Sequence, residues 1–317
     1  MEKEIITQEK LTEVLNQSGH HGDFQIIGID DSFGFTCKQC GSCCMNREDI
    51  IINPFDVYNG AKSLGIDPKE FLKRYTYGTI GGTSKIPIIL LRTQENGYCP
   101  LLEFDAKNGG VFKCKIQEAK PGACANHPIG VLYQKDAKSK VSAVQYIKVD
   151  QCPNSTSTEM HIVRDWVKRQ IDHMEEISLA YEMQGIIIEY FDPSRFYSLM
   201  NSVINTFALT DILALITQDD EESDEKADFL KSAKKINEDA NSLLEGYIAA
   251  VYALYNTYDI NKPFIPQATE NIKNMRQYLE MIKDIYEIFK EILGKIFGTN
   301  VDEILKKLEE EDKENAK

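Results

Sequence analysis

The chain has 317 residues, 42% of them apolar and 9% aromatic, which is enough to build a core and excludes wholesale disorder. The net charge of −14 is uneven: residues 156–317 hold 18 Lys and Arg against 32 Asp and Glu, whereas residues 1–155 hold 18 of each. An acidic half of this kind repels phosphate backbones and anionic lipid, so we expect neither nucleic acid nor a membrane as a partner.

The compartment can also be predicted from the sequence. It has no apolar run of eighteen residues, and its first residues, MEKEIITQEK, lack the basic-then-apolar order of a signal peptide. We therefore expect a cytoplasmic protein.

The helices of the first half are marked by their caps. A short helix is expected within residues 1–16. Asn53-Pro54 opens a helix that Gly65 ends, and Asp67-Pro68 opens another, because Asn and Asp cap helices and Pro suits the first turn. Strands are predicted over 25–29, 86–91, 111–116 and 141–149. The first half is therefore predicted to be a small α+β domain.

The second half is predicted to be helical almost throughout. Residues 159–183 carry apolar residues at the spacing of one helix face. Two longer segments alternate apolar steps of four and three, and Pro263 and Pro266 lie in the link between them. They predict an antiparallel helical hairpin, as the core of a bundle rather than a dimerising coiled coil. The heptad positions are Phe229, Ala233, Ile236, Ala240, Leu243, Tyr247, Ala250 and Leu254, then Ile272, Met275, Leu279, Ile282, Tyr286, Phe289, Leu293 and Ile296.

The cysteines and the charge change at the same place in the chain. All eight cysteines precede residue 153, the acidic excess follows, and the polar stretch 154–158 lies between them. We predict a Cys-rich metal-binding domain at 1–155 and an acidic all-α domain at 156–317 with a fraying tail. The fold class is therefore α+β. The cysteines are Cys37, Cys40, Cys43, Cys44, Cys99, Cys114, Cys124 and Cys152.

The spacing of the first four cysteines indicates metal binding. Cys37-x-x-Cys40-x-x-Cys43-Cys44 places sulfurs on one turn, and in a cytosolic protein such clusters bind metal or perform redox chemistry rather than form a disulfide scaffold. A bound cation supplies the charge that keeps thiols deprotonated at neutral pH. The side chains of the adjacent Cys43 and Cys44 are expected to diverge and to serve different sites, unless only one of them is a ligand.

The identity of the metal stays open at this point. Three cysteines spaced C-x-x-C-x-x-C with a remote Cys-Pro are typical of [4Fe–4S] ligation, and Cys99-Pro100 and Cys152-Pro153 both supply that pair. Zinc usually takes two separate C-x-x-C pairs. Cys124-Ala-Asn-His127 could form the second of these, although His127 before a proline is more typical of a packed residue than of a ligand.

The order of these motifs resembles that of a known family, the YkgJ-like cysteine-cluster proteins, whose zinc- or iron-chelating domain is named CxxCxxCC. The resemblance covers about residues 33–155: after the first cysteines come Tyr98-Cys99-Pro100, Cys114, Lys120-Pro121 with Cys124, and Cys152-Pro153. Where the family has Arg, Arg and an aromatic residue, this chain has Lys120, Ala125 and His127. One branch of the family resembles flagellin lysine N-methylases, which are associated with an iron–sulfur cluster.

Three functional hypotheses follow. The first is a redox or binding module whose metal, an iron–sulfur cluster or zinc, is held by the cysteines and whose helical half contacts a protein partner. We expect Cys37, Cys40, Cys43 and Cys152 at one site and Cys44, Cys99, Cys114 and Cys124 at another. The second, implied by the resemblance alone, is a metal-dependent protein lysine N-methyltransferase. The third is a zinc-stapled adaptor without chemistry; the sequence itself contains no nucleotide-binding fingerprint.

Overall fold

The structure is a computed structural model that describes residues 5–17, 24–81, 86–107, 109–136, 140–149, 159–190, 192, 195–205, 224–298, 300–303 and 306. Cys152, the proposed boundary at 154–158 and the acidic tail lie outside the described residues, so the predictions made for them stay predictions.

The fold is α+β, as the sequence predicts, with small sheets in the N-terminal half and helices in the C-terminal half. The chain divides into two compact units. The first comprises Met1–Thr79, Ile88–Gly185 and Leu254–Ile272, and the second comprises Ile80–Pro87, Ile186–Ala253 and Lys273–Lys317. Among the described residues, no helix combines the length and the apolar character that crossing a bilayer requires.

Strands within the described residues form four small sheets. Two have the strand orders β1-β9-β8 and β3-β5-β4, and two are antiparallel pairs, β2 with β10 and β6 with β7. The predicted strands correspond to β1, β5, β7 and β9, whereas the other six were not predicted. The strands are β1 Phe24–Ile27, β2 Ser32–Gly34, β3 Ile51–Ile52, β4 Thr76–Ile80, β5 Pro87–Leu91, β6 Leu102–Asp105, β7 Val111–Cys114, β8 Ile129–Lys135, β9 Val141–Val149 and β10 Met160–Ile162.

The helices of the first half begin where their caps predict. Asn53 accepts a hydrogen bond from Asp56 N, and Asp56 accepts one from Asn53 N, which is a capping box at the start of α2. Gly65 ends this helix in the left-handed conformation, and Asp67 caps α3. The helices of this half are α1 Gln8–Gln17, α2 Pro54–Leu64, α3 Pro68–Tyr75 and α4 Gly122–Ala125.

The single helical face predicted for residues 159–183 is interrupted. Residues 160–162 form β10, because Met160–Ile162 pair with β2 and Glu159 O accepts a hydrogen bond from Phe35 N. Turns at Val167 and His173 then divide the helical part into α5 Val163–Trp166, α6 Lys168–Asp172 and α7 Met174–Tyr190.

An aromatic core lies beside these elements in the first unit. Phe33 and Phe35 pack edge-on against Trp166, with ring centroids 5.5 and 5.4 Å away. Trp166 Nε1 donates a hydrogen bond to Asn126 O at 3.0 Å, so the one polar atom of this ring is satisfied. Phe35 directly precedes the cysteine loop, and this packing therefore fixes where the loop begins.

The long helical hairpin of the second half is present. Residues 195–205 form α8, and α9 Asp224–Asn256 and α10 Phe264–Phe297 follow. The predicted heptad positions from Ala233 to Leu293 are buried, but Ile296 is exposed, and the side chain of Phe229 lies outside the described residues. Pro266 lies in the first turn of α10 rather than in the link, where its missing N–H removes no helical hydrogen bond.

Candidate metal centre

The loop that carries the first four cysteines turns sharply at Gly41. Gly41 has φ 77°, a left-handed conformation that glycine adopts without the clash of a Cβ. It precedes a single 3₁₀ turn, Ser42–Cys44, closed by a hydrogen bond from Cys44 N to Gly41 O at 2.8 Å. Phe112 and Met45 lie so close to Gly41 that a Cβ there would stand 2.9 Å from the Met45 Cε methyl. The turn therefore brings Cys43 and Cys44 around toward Cys40.

Two backbone contacts attach distant segments to this loop. Cys99 N donates to Cys44 O at 2.9 Å, beside a β-bridge between Met45 and Tyr98. Phe112 N, on β7, donates to Gln39 O at 2.9 Å. Main-chain hydrogen bonds thus hold Cys99 and the β6–β7 hairpin against the cysteine loop.

The remaining described cysteines come from the hairpin and a short helix. Cys114 ends β7 opposite Leu102, and Leu102 N donates to Cys99 O at 2.9 Å, which places Cys99 and Cys114 at the same end of the hairpin. Cys124 lies in α4, whose turn closes through a hydrogen bond from Cys124 N to Pro121 O. Segments far apart in the chain therefore meet at one place.

Six of the cysteines line a single pocket of about 360 Å³. Phe35, Trp166 and His127 form part of its apolar wall, and Arg47 and Lys120 supply its positive charge together with Lys38. Cys99 does not line this pocket, but its N–H donates a hydrogen bond to the backbone oxygen of Cys44, which does. The six lining cysteines are Cys37, Cys40, Cys43, Cys44, Cys114 and Cys124.

The adjacent cysteines do not diverge. Cys43 Sγ and Cys44 Sγ are 3.9 Å apart, so the expectation that the two side chains diverge is wrong, whereas their assignment to different sites stays a prediction. The cause is the 3₁₀ turn, which places successive residues about a third of a turn apart rather than on opposite faces as in a strand. Both sulfurs line the same pocket.

Burial and neighbouring charge affect the thiols differently. Burial raises the pKa of Cys99 and of Cys114, and it raises the pKa of Cys124 to about 12. The hydrogen bond between Cys43 and Cys44 lowers the pKa of the first and raises that of the second. The buried thiols therefore stay protonated at neutral pH unless a cation takes the place of their protons.

The exposed part of the loop is more easily ionised. Hydrogen bonds from Ser42 lower the pKa of Cys40, whose Sγ lies 3.3 Å from Ser42 Oγ. Lys120 and Arg47 also contribute to lowering the pKa of Cys43. Arg47 is itself held by Asp49, with Nε to Oδ1 at 2.6 Å and Nη2 to Oδ2 at 2.9 Å. Positive charge thus stands beside the sulfurs that are most readily deprotonated.

The donor set fits a thiolate-bound metal by its chemistry rather than by preformed geometry. Among the described residues, no three Cys, His, Asp or Glu side chains are already placed to hold an ion. A structural zinc site takes four Cys or His ligands and a [4Fe–4S] cluster takes four cysteine sulfurs, whereas this pocket offers six cysteines. Cys37, Cys40 and Cys43 are exposed, so rotation about their Cα–Cβ bonds can bring their sulfurs inward without unpacking a core.

Residues 36–152 match the family model CxxCxxCC, whose description is "Putative zinc- or iron-chelating domain". This segment is a CxxCxxCC domain. The match covers less than half of the chain and includes every predicted ligand, among them Cys152 at its last position. No curated protein and no solved structure shows significant similarity to the chain.

Three residues of this segment depart from the pattern of the YkgJ-like proteins, and all three line the cysteine pocket: Lys120, Ala125 and His127. His127 packs edge-on against Phe35, with centroids 6.1 Å apart, and precedes Pro128 in a cis peptide bond. It thus packs as an aromatic residue would, although its Nε2 is buried without a hydrogen-bond partner among the described residues.

A second cavity, of about 300 Å³, adjoins the cysteine pocket and was not predicted. The two share Arg47, Ala125 and His127 in their walls. Asp56 and Gln170 are buried in the second cavity, and within the described part of the chain Gln170 Oε1 has no hydrogen-bond partner. Gln170 stands in no motif, and Asp56 stands in the capping box of α2, which indicates the start of a helix and not a cavity. Tyr133, Tyr181, Phe55 and His173 provide an aromatic wall.

Proposed function

We propose that the chain is a metal-binding module whose cysteines hold an iron–sulfur cluster, with zinc as the alternative metal, in a redox or binding role. The observation that carries this proposal is the convergence of six thiols on one pocket in a segment that matches a metal-chelating family. The residues that would hold the metal are those six, with Cys99 beside them and Cys152 as predicted from the sequence. An iron–sulfur cluster supplies one-electron transfer, and zinc supplies a structural cross-link.

The protein's own residues prepare this site in two ways. Arg47 and Lys120 offset the negative charge of several thiolates in one pocket. Phe35 and Trp166 cover one wall and limit the access of water, which affects the potential of any cluster bound there.

Metal analysis and an absorption spectrum of protein purified without oxygen test the proposal. We expect iron with acid-labile sulfide and a broad visible absorption, and Cys43→Ser should lower the metal content. Glu48→Gln, at an exposed position just after the cysteine loop and outside the pocket, should leave the metal content unchanged. Colourless protein with stoichiometric zinc would support the metal-binding module but contradict its redox role. Protein without bound metal would contradict the proposal as a whole.

A second candidate is a metal-dependent protein-modifying enzyme, similar to a protein lysine N-methyltransferase. The observation that favours it is the cavity beside the cysteine pocket, with the buried polar groups of Asp56 and Gln170. Its volume is at the lower end of the range for small-molecule sites. Incubation of metal-loaded protein with labelled S-adenosylmethionine and candidate protein substrates tests it; neither binding nor methyl transfer would remove this candidate.

The acidic helical part is the proposed binding surface for a protein partner in the cytoplasm. Its excess of 14 acidic over basic residues, 32 against 18, supports this and disfavours nucleic acid and anionic membranes. A zinc-stapled adaptor without chemistry would use the same surface, and the metal analysis above separates it from a redox protein.

A further inference from the structure

The second cavity, beside the cysteine pocket, contains a buried polar atom that the fold leaves unpaired. Gln170 lines the cavity and is 6% exposed, and its Oε1 has no hydrogen-bond partner among the described residues. Asp56, which is 9% exposed, lines the same cavity. A buried polar atom without a partner costs free energy on folding, so an acceptor kept at a cavity wall points to a ligand that donates to it.

Three polar side chains of different charge meet at the start of α4. Asp56 Oδ1 accepts a hydrogen bond from Gly122 N at 3.1 Å, and Gln170 Oε1 stands 4.0 Å from the place where a Cβ of Gly122 would be. Arg169, which also lines the cavity, donates a hydrogen bond from Nη2 to Lys120 O. An anion, an amide oxygen and a cation therefore lie around one short backbone segment.

Asp56 and Arg169 do not neutralise each other. Burial raises the pKa of Asp56 to about 6, and the positive charge of Arg169 opposes that rise, yet within the described part of the chain neither of them forms an ion pair. The carboxylate accepts backbone hydrogen bonds from Asn53 and Gly122, and an ionised carboxylate has about four acceptor positions. Both charged groups can therefore take a further partner from a ligand.

The other charged or basic groups of the cavity wall do not alter this balance. Arg47 is held by Asp49, with hydrogen bonds of 2.6 and 2.9 Å. Burial lowers the pKa of His127, which is therefore neutral at pH 7. His173 Nδ1 lies 3.4 Å from Glu176 Oε1. The cavity thus presents one negative and one positive group to a ligand.

The remaining wall of the cavity is largely aromatic. The rings of Tyr133 and Tyr181 have centroids 4.9 Å apart, and those of Phe55 and His173 are 5.3 Å apart. Lys135 Nζ already lies 4.6 Å from the centroid of the Tyr181 ring, so this wall suits an apolar group better than a second cation. The volume of about 300 Å³ is that of a site for a small molecule.

We propose that this cavity binds a free α-amino acid with an aromatic or large aliphatic side chain. The ammonium group of the ligand donates to Asp56 and to Gln170 Oε1, the carboxylate pairs with Arg169, and the side chain packs against the aromatic wall. A purely cationic ligand would leave Arg169 without a partner, and a purely anionic ligand would leave Asp56 buried without a counter-ion. The proposal does not depend on the metal-binding role, because none of the described cysteines lines this cavity.

Isothermal titration calorimetry of the full, metal-loaded chain with L-phenylalanine and L-leucine tests the proposal. The tighter of the two is then compared with the amine that lacks its carboxylate and the acid that lacks its ammonium group. These are phenethylamine and 3-phenylpropionate, or 3-methylbutylamine and 4-methylpentanoate. We expect each truncated probe to bind at least about tenfold more weakly, because one buried charge loses its partner. Equal affinity for either truncated probe, or binding of neither amino acid, would overturn the proposal.

Two substitutions assign the two charges of the ligand to residues. Arg169→Met should weaken the amino acid by at least about tenfold without weakening the amine, which has no carboxylate to lose. Asp56→Asn should weaken the amino acid to a similar extent without weakening the acid, which has no ammonium group. Equal losses for the amino acid and its truncated probes in both variants would overturn the proposal.

Gln170→Met and a surface control separate the cavity from the charge of the whole protein. Gln170→Met removes the acceptor oxygen at nearly constant side-chain length, and it should weaken the amino acid and the amine but not the acid. Glu95→Gln removes a negative charge at an exposed position outside both cavities and should leave every affinity unchanged. Losses in Glu95→Gln as large as those in Asp56→Asn would overturn the proposal.

Two further readouts distinguish this proposal from the proposed functions. The metal content of Asp56→Asn should equal that of the unsubstituted protein, and a metal-free chain that still binds the amino acid would contradict only the metal function. S-adenosylmethionine carries the same ammonium and carboxylate groups and is titrated separately. Binding of S-adenosylmethionine without binding of either free amino acid would overturn the proposal and favour the enzyme.

Discussion

Gly41 shows how much of the cysteine loop depends on one residue. Its positive φ and the close approach of Met45 and Phe112 both exclude a side chain. Gly65 also has a positive φ but open space around it, which makes it a matched comparison. The two glycines therefore separate the cost of backbone strain from the cost of crowding.

We expect Gly41→Ala to lower the free energy of unfolding by more than Gly65→Ala does. The left-handed conformation costs an alanine about 1–2 kcal/mol at either position. At Gly41 the contact with Met45 and Phe112 adds to that cost. Urea denaturation of both variants measures the difference, and equal losses would show that the loop moves to accept the new methyl group.

Asp56 is a buried carboxyl group whose ionisation opposes folding. Burial raises its pKa to about 6, although the Asn53 and Gly122 N–H groups donate hydrogen bonds to it at 3.0 and 3.1 Å. Its pKa in the unfolded chain is lower, so the unfolded state loses its proton first as the pH rises. The contribution of Asp56 to stability therefore falls between about pH 4 and pH 6 and is constant above that range.

Comparison with Asp56→Asn measures this effect, because other titrating groups are common to both proteins. From pH 4 to pH 7, the unsubstituted chain should lose up to about 3 kcal/mol of unfolding free energy relative to the variant. Urea titrations at several pH values give the difference. A difference that stays constant with pH, or that changes in the opposite direction, would contradict the raised pKa.

Helix α2 is the element that carries Asp56, and its capping box holds its start. We expect Asn53→Ala to destabilise the protein by about 1 kcal/mol, because the N–H of Asp56 then loses its acceptor. Asn53→Ser keeps an acceptor oxygen and should restore most of that loss. Thermal unfolding of the three proteins compares them, and equal melting temperatures would show that the cap contributes nothing.

At this scale the sequence predicts what is encoded locally. Caps at Asn53 and Asp67 and the seven-residue spacing of α9 and α10 gave those helices, since each signal lies within a few residues of the element that it defines. β2 and β10 were not predicted because each has three residues and their pairing joins positions more than a hundred residues apart. The exposed apolar side chains of α10, among them Ile285 and Ile288, were likewise not predicted. Heptad spacing alone does not show which of two adjoining apolar faces of a helix is buried.

For the candidate metal site, the sequence predicted which cysteines belong to it but not how they are arranged in space. Spacing singled out the cysteines because clustered thiols are rare for any reason other than chemistry. Their division into two sets of four stays a prediction. Arg47, Trp166 and Gln170 could not be found from spacing, because tertiary packing alone brings them to the cysteines or to the cavity beside them.

Across the whole molecule, Trp166 reports on the cysteine pocket. It is the single tryptophan of the chain, and its ring lines that pocket. If the pocket holds an iron–sulfur cluster, which absorbs where tryptophan emits, removal of iron with a chelator should increase the intrinsic fluorescence. Identical emission from loaded and stripped protein would contradict iron in this pocket, and stripped protein reloaded with iron and sulfide is the control.

The wide separation along the chain of the cysteines that line one pocket has a consequence for biosynthesis. Cys44 leaves the ribosome 80 residues before Cys124, the last described cysteine to line the pocket. At about 5–20 residues per second, the early thiols wait roughly 4–16 s before the later ones are synthesised. Loading of the centre therefore follows synthesis of the segment, and a nascent chain stalled before Cys99 would carry its first four thiols open to oxidants.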